Sequence, residues 1–279
     1  MQEALESLLE RLGCRPTGRP VALSGGDMAA VYRLGTDAGE LVIKRDVPER
    51  LAGEAEGLRA LRSAGTDLVV PEVWAEEGGW LIMEALDPVP PTSAARRTLA
   101  EGLRALHAAT SAPHGWPRDN ACGATPQPNA PLDDGRAFQR ERRLRPLTRA
   151  CHRRGLLDDA LRARLEAVAL GLEAWLPDAP ACLVHGDLWA GNVLYTSRGP
   201  ALIDPAVYRH FREVDLAMLT LFGAPSPAFL EAYWDGRPPD DWPRREALFQ
   251  LYPLLNHLLL FGGSYRAAVE RALARAEAA

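Results

Sequence analysis

The stretch Leu183-Val184-His185-Gly186-Asp187-Leu188-Trp189-Ala190-Gly191-Asn192 keeps the spacing H-x-D-L-x-x-x-N between two short apolar runs, 182–184 and 193–195, that read as strands. Moving a phosphoryl group onto a hydroxyl requires a carboxylate that orients the attacking oxygen and accepts its proton. It also requires hard oxygen ligands for a magnesium ion on the nucleotide phosphates. Asp187 has the position of the carboxylate, and Asn192, five residues on, offers a neutral oxygen. A second acid, Asp204, follows the apolar run Ala201-Leu202-Ile203, twelve residues beyond Asn192. A strand ending in an acid presents it at a cleft edge, so Asn192 and Asp204 are the expected metal ligands and Asp187 the expected base. Taken singly, such acids are more often helix caps or loop residues. Their combined spacing carries the reading.

Outward from this loop, the next informative residue is Lys44. The chain has 32 basic residues, and every one except Lys44 is arginine. Lysine carries a compact ammonium on a slender stem, arginine a broad planar fork, so a site that takes only the former is a natural home for the exception. Lys44 ends the run Leu41-Val42-Ile43-Lys44, after a glycine-containing turn and before a helical stretch. That is the V-A-I-K position, where an ammonium pairs with nucleotide α- and β-phosphates. Glu54 or Glu56 could orient it from the helix that follows, and Glu54 is favoured. Gly25 and Gly26, upstream, can turn the chain over the phosphates, although any hairpin could use such a pair. Met83, Glu84 and Leu86 lie where an adenine-binding hinge belongs, though most apolar strands of this kind are simply core. ATP and Mg2+ are the expected cofactors.

The organisation of the chain agrees. A short helix over 3–12 precedes strands at 20–23, 30–34 and 40–45, a helix over 49–64, and strands at 73–75 and 80–86. After the joint Asp87-Pro88-Val89-Pro90-Pro91 the pattern turns helical, over 93–109, 133–153, 158–176, 213–222 and from 243 onward, with a loop-rich interval at 113–132. The expectation is an α+β, protein-kinase-like two-lobed fold. A sheet-rich nucleotide-binding lobe spans 1–86 and a mainly helical catalytic and substrate lobe 87–279.

Composition narrows the classes. With 279 residues, 47% hydrophobic and 25% charged, the chain can bury a substantial core. A net charge of -5 argues against a dedicated nucleic-acid binder. The arginine run over 136–154 therefore reads as a solvated helix face, with Phe138, Leu144 and Leu147 only partly turned to a core. Four scattered cysteines show no zinc or C-x-x-C spacing, and the acidic first ten residues do not resemble a signal peptide. A cytoplasmic protein with free thiols and no membrane association is expected; nothing in the sequence fixes its oligomeric state.

Two departures leave little room for a peptide-docking activation segment. Gly186 stands where H-R-D has arginine, and only ten residues separate Asp204 from Asp215, with no A-P-E following. A small-molecule acceptor follows more naturally. From about Gly25 to Gly263 the chain resembles the fructosamine/ketosamine-3-kinase family, relatives of the aminoglycoside phosphotransferases. The resemblance is carried by Gly25-Gly26-Asp27, Glu54-Ala55-Glu56-Gly57-Leu58, Asp119-Asn120, Thr125-Pro126-Gln127-Pro128-Asn129, Glu141-Arg142-Arg143-Leu144, the 185–192 loop, Ile203-Asp204-Pro205-Ala206-Val207-Tyr208, Arg212-Glu213-Val214-Asp215-Leu216-Ala217-Met218 and Leu254-Leu255-Asn256-His257-Leu258. It implies ATP-dependent phosphorylation of the 3-hydroxyl of a ketoamine such as a fructosamine or ribulosamine, free or protein-bound. The product is unstable and releases the amine. An aminoglycoside-type or other small-metabolite phosphotransferase is the alternative, and a non-catalytic nucleotide-binding scaffold a second. Tyr208-Arg209-His210-Phe211 departs from the family's Tyr-Tyr-Gly-type stretch, which puts the acceptor pocket in question. Asp27 stands where some members have cysteine, so redox control through that turn is not expected.

Substrate contact is assigned to Trp189, Tyr208, Asn256 and His257. Trp189 could equally wedge the loop into the core. Asp215 reads as a structural acceptor for backbone N–H groups of the catalytic loop, His185 as a packed hydrogen-bonding histidine, and His107 and His152 as ordinary helix histidines.

Overall fold

The computed structural model describes residues 2–23, 29–223 and 225–278. A leading helix α1 (Gln2–Arg11) precedes strands β1 (Val21–Ala22), β2 (Ala30–Thr36) and β3 (Gly39–Arg45), helix α2 (Pro48–Ser63), and strands β4 (Val73–Glu77) and β5 (Trp80–Glu84). The strands form one antiparallel sheet in the order β1-β2-β3-β5-β4. In β3, Leu41 and Ile43 are fully buried and pack with Leu34, Ile82, Trp80 and the α1 residues Leu8 and Leu9. Helix α2 opens on Pro48, whose fixed φ suits a first helical turn. It buries Leu51, Ala55, Leu58 and Leu61 against the larger core. Each fully buried leucine stabilises by roughly 1.5–3 kcal/mol before entropy is counted.

The helical part begins with α3 (Ser93–Ala108), capped by the Thr92 hydroxyl on Ala95 N–H. Then come β6 (Thr110–Ser111), the hairpin β7 (Asn120–Cys122) and β8 (Thr125–Gln127), and α4 (Gly135–Phe138), which runs through a π-helical turn at Gln139–Leu144 into α5 (Arg145–Arg153). Helix α6 (Asp159–Leu170), strands β9 (Ala181–Val184), β10 (Val193–Thr196), β11 (Gly199–Leu202) and β12 (Tyr208–His210), and helices α7 (Glu213–Leu221), α8 (Pro227–Trp234), α9 (Trp242–Phe261) and α10 (Arg266–Glu277) complete the chain. Strands β10 and β11 form a hairpin, and β9 lies between β12 and β6. The two parts are stitched by backbone: Val69 N–H donates to Pro200 O, and Leu202 N–H donates to Val69 O, both at 2.9 Å.

Three expectations need correction. Helix α8 lies in a stretch with no expected element. It is only eight residues, so its signal is short, and burial of Phe229 and Tyr233 holds it in place. The interval 113–132 contains the β7–β8 hairpin. The arginine run is not simply a solvated face. Arg143 is fully buried, its guanidinium 4.0 Å from the Tyr208 ring centre and 4.7 Å from that of Phe138. It donates to Pro128 O and Asn129 Oδ1, each at 2.6 Å. Phe138, Leu144 and Leu147 are all buried as well. The π-helical turn accounts for this, because an extra residue in the turn rotates the faces that a 3.6-residue period assigns.

Candidate active site

Strand β9 delivers the loop 185–192 into a cleft between the sheet and the helices. His185 is fully buried; its Nε2–H donates to Ile203 O at 2.9 Å, leaving Nδ1 to accept from Asp187 N–H at 3.3 Å. Burial holds its pKa below the usual imidazole range. Gly186 has φ +82°, and a Cβ there would stand 2.1 Å from Ala206 O. An arginine at this position, as in H-R-D, is therefore sterically excluded.

Asp215, fully buried at the start of α7, accepts from His185 N–H at 2.7 Å and Gly186 N–H at 2.9 Å. Burial pushes its carboxyl upward, but the bonds from His107 and the loop outweigh this and hold it below the usual carboxylate range. His107 is more than an ordinary helix histidine, since it is buried and bridges Asp215 Oδ2 at 3.1 Å and the Tyr233 hydroxyl at 2.7 Å. Asp215→Asn keeps the shape but gives one of these donors an amide N–H to face. Leaving a buried donor unsatisfied costs about 1–3 kcal/mol. A lowered Tm with slower turnover is expected, and an unchanged melting curve would remove Asp215 as the anchor of the loop.

Asp187 is largely buried, and burial together with the nearby Asp204 charge raises its pKa to about 7. Asn192 Nδ2 donates to Asp187 O at 2.8 Å and lies 3.3 Å from Asp187 Oδ2. With the amide nitrogen so used, the Asn192 carbonyl oxygen is the end left for a ligand. Asp204 follows β11 with φ +55°, a sparsely populated conformation for a residue with a Cβ. Its Oδ1 is 2.5 Å from Lys44 Nζ, and Lys44 Nζ is 2.6 Å from Glu54 Oε1. Burial pushes the Lys44 ammonium down, yet the two carboxylates more than compensate and hold it above its ordinary value. Glu56, the other candidate partner, instead accepts from Trp116 Nε1 at 3.0 Å and pairs with Arg118.

Lys44, Glu54, Asp187, Asn192 and Asp204 line one cavity of about 700 Å³, together with Trp189, Asn256 and His257. Other expected contacts fall outside it. Gly25 and Gly26 lie outside the described residues. Met83, Glu84 and Leu86 do not line the cavity, and Glu84 is taken up by Arg198 at 2.8 Å. Tyr208 is buried under the site, stacked on Arg143 and bordering only a small annex behind Asp187. None of Tyr208, Arg209, His210 and Phe211 lines the main cavity. The departure of this stretch from the family pattern thus alters the support beneath the site.

That support includes residues the sequence did not assign. Asn120 Nδ2 donates to Val207 O at 2.9 Å, Gln127 Nε2 to Ala206 O at 3.1 Å, and Asn129 Nδ2 to Asn120 Oδ1 at 2.8 Å. Tyr252 donates to Gln127 Oε1 at 2.8 Å. Together they fix the segment after Asp204. The sequence singled out the segments holding Asn120, Gln127 and Asn129 as part of the resemblance, without a role for these side chains.

A magnesium ion fits the donor set. Among the described residues no cluster of three or more His, Cys, Asp or Glu side chains could hold a metal alone. One carboxylate and one amide oxygen do suit an ion that draws its remaining ligands from phosphates and water.

The sheet-rich and helical parts, with these side chains converging between them, define a protein-kinase-like phosphotransferase fold. At the level of fold alone, the chain is similar to the streptomycin-ATP-APH(2")-IIa complex, with 17% identity and a TM-score of 0.63 over 97% of this chain and 95% of that one. The family model described as fructosamine kinase matches residues 8–278, and the chain belongs to that family. It is 33% identical to the probable ketoamine kinase YniA of Escherichia coli K12, covering the whole of both chains. A Thermobifida fusca protein solved as a candidate fructosamine-3-kinase is 32% identical, with a TM-score of 0.90 over the whole of both. Among the described residues no helix is long and apolar enough to cross a membrane.

Proposed function

We propose that this protein transfers the γ-phosphoryl group of ATP to the 3-hydroxyl of a ketoamine, in the repair of glycated amines. The carrying observation is the Lys44 ammonium held between Glu54 and Asp204 in the same cavity that Asp187 and Asn192 line. In this reading Lys44 binds the α- and β-phosphates and Glu54 keeps it aimed. Asp187 orients the acceptor hydroxyl and takes its proton; a carboxylate whose pKa lies near neutrality suits that exchange. Asn192 and Asp204 would hold a magnesium ion, which when bound neutralises charge on the phosphates.

The test is a panel of fructosamines, ribulosamines and aminoglycosides with magnesium-ATP, read by ADP release. Turnover of ketoamines with phosphate found on the 3-hydroxyl is expected. Turnover of aminoglycosides alone would overturn the assignment. Tight nucleotide binding with no acceptor phosphorylated would favour a scaffold instead.

A further inference from the structure

Among the described residues, three large aromatic side chains are notably exposed, and all three adjoin the same cavity. Trp189 is 39% exposed, Phe222 44% and Phe261 50%. Single exposed apolar residues need no explanation, but a contiguous set beside a binding cavity does. The rings form a chain. Trp189 and Phe222 have centres 6.3 Å apart, Phe222 and His257 5.1 Å, His257 and Phe261 5.5 Å, and His257 and Tyr265 5.1 Å.

Two further details define the chemistry of this end. Asn256 is buried, its Nδ2 donating to Cys122 O at 3.2 Å, while its Oδ1 has no partner. A buried amide oxygen on a cavity wall calls for an N–H or O–H from a ligand. His257 donates from Nδ1 to Pro253 O at 2.6 Å, burial lowers its pKa, and no lysine or arginine among the described residues of α9 lines the cavity. The cations lining the cavity, Lys44 and Arg50, lie at the other end, on β3 and α2.

From this geometry we infer that the α9 end of the cavity is a subsite for an uncharged aromatic or aliphatic substituent on the acceptor nitrogen, with Asn256 Oδ1 receiving a hydrogen from the ammonium or a sugar hydroxyl. The inference rests on the ketoamine reading and specifies which ketoamines fit. The ring faces favour a cationic nitrogen and the apolar group attached to it. They offer nothing to a carboxylate.

The experiment compares N-methyl, N-benzyl and N-carboxymethyl derivatives of one aminodeoxyketose, in the wild type and in Phe261→Ala and Phe222→Ala. Because even partial burial of a phenyl ring is worth on the order of tenfold, kcat/KM should be about tenfold higher for benzyl than for methyl, with carboxymethyl the poorest. Both substitutions should drive the benzyl-to-methyl ratio toward one. A flat series, a preference for carboxymethyl, or a ratio untouched by both substitutions overturns the subsite. A change in sedimentation with no change in the ratio would also overturn it, by assigning the rings to contact between copies. If no ketoamine is turned over, the ketoamine reading fails, and binding of benzylammonium against methylammonium by tryptophan fluorescence then decides the subsite. Tighter benzylammonium binding that is lost in Phe261→Ala supports it, and equal binding of the two sinks it.

Discussion

Asp187→Asn is expected to lower kcat by about 10²–10⁴-fold, the usual contribution of a general base, while nucleotide affinity changes little. The substitution is close to isosteric, and the Asn192 amide bonds mainly to the backbone oxygen of residue 187, so the loop should keep its shape. What is lost is a carboxylate on the acceptor side of the cleft. Because burial and Asp204 raise its pKa to about 7, the wild-type group can accept and return a proton near neutral pH, which an amide cannot do. Initial rates by ADP release, set beside equilibrium nucleotide binding, make the check. Full turnover in the variant removes Asp187 from the role of base.

Lys44→Ala should weaken both nucleotide use and the fold. Among the described residues the ammonium is the only cation bonded to Glu54, and removing one member of a buried ion pair typically costs about 3–5 kcal/mol. Loss of a preorganised cationic donor to the phosphates should lower kcat/KM for ATP by about 10²–10³-fold. The stability loss should depend on pH. Burial already pushes Glu54 up to about 7 despite the opposing pull of Lys44, and without that pull its folded pKa rises further above the unfolded value. A folded pKa raised in this way favours the folded state while the group is protonated, and that advantage fades as pH climbs through it. The variant should therefore melt closer to the wild type near pH 5 than near pH 8, measured without nucleotide. Equal losses at both pH values, or unchanged nucleotide kinetics, would refute the pairing.

The sequence made the chemistry of the cleft more legible than its setting. Asp187, Asn192, Asp204 and Lys44 could be found because phosphoryl transfer constrains residue type and spacing together, and strand runs mark where each side chain emerges. Glu54 could be preferred over Glu56 but not separated from it by pattern, since both sit on one helix; the bonds from Trp116 and Arg118 to Glu56 exist only in three dimensions. Tyr208 lies beneath the site and not in it for a reason the sequence cannot show. A strand's sequence gives its alternation but not which neighbour covers each face, and Tyr208 is covered by Arg143. Arg143 itself defeated compositional reasoning. A guanidinium satisfied by Pro128 O and Asn129 Oδ1 and held against rings belongs to the core, yet in a list of residues it looks like any other surface charge.

Helix α2 carries Glu54 toward the cleft, and two residues on Glu56 bonds to Trp116 and Arg118. A methyl group added at Gly57 would stand only 3.0 Å from Pro205 and 3.3 Å from Val207. So close a fit seats the helix that carries Glu54 directly on the segment that follows Asp204, and a bulkier residue at 57 would push apart the two carboxylates that hold Lys44.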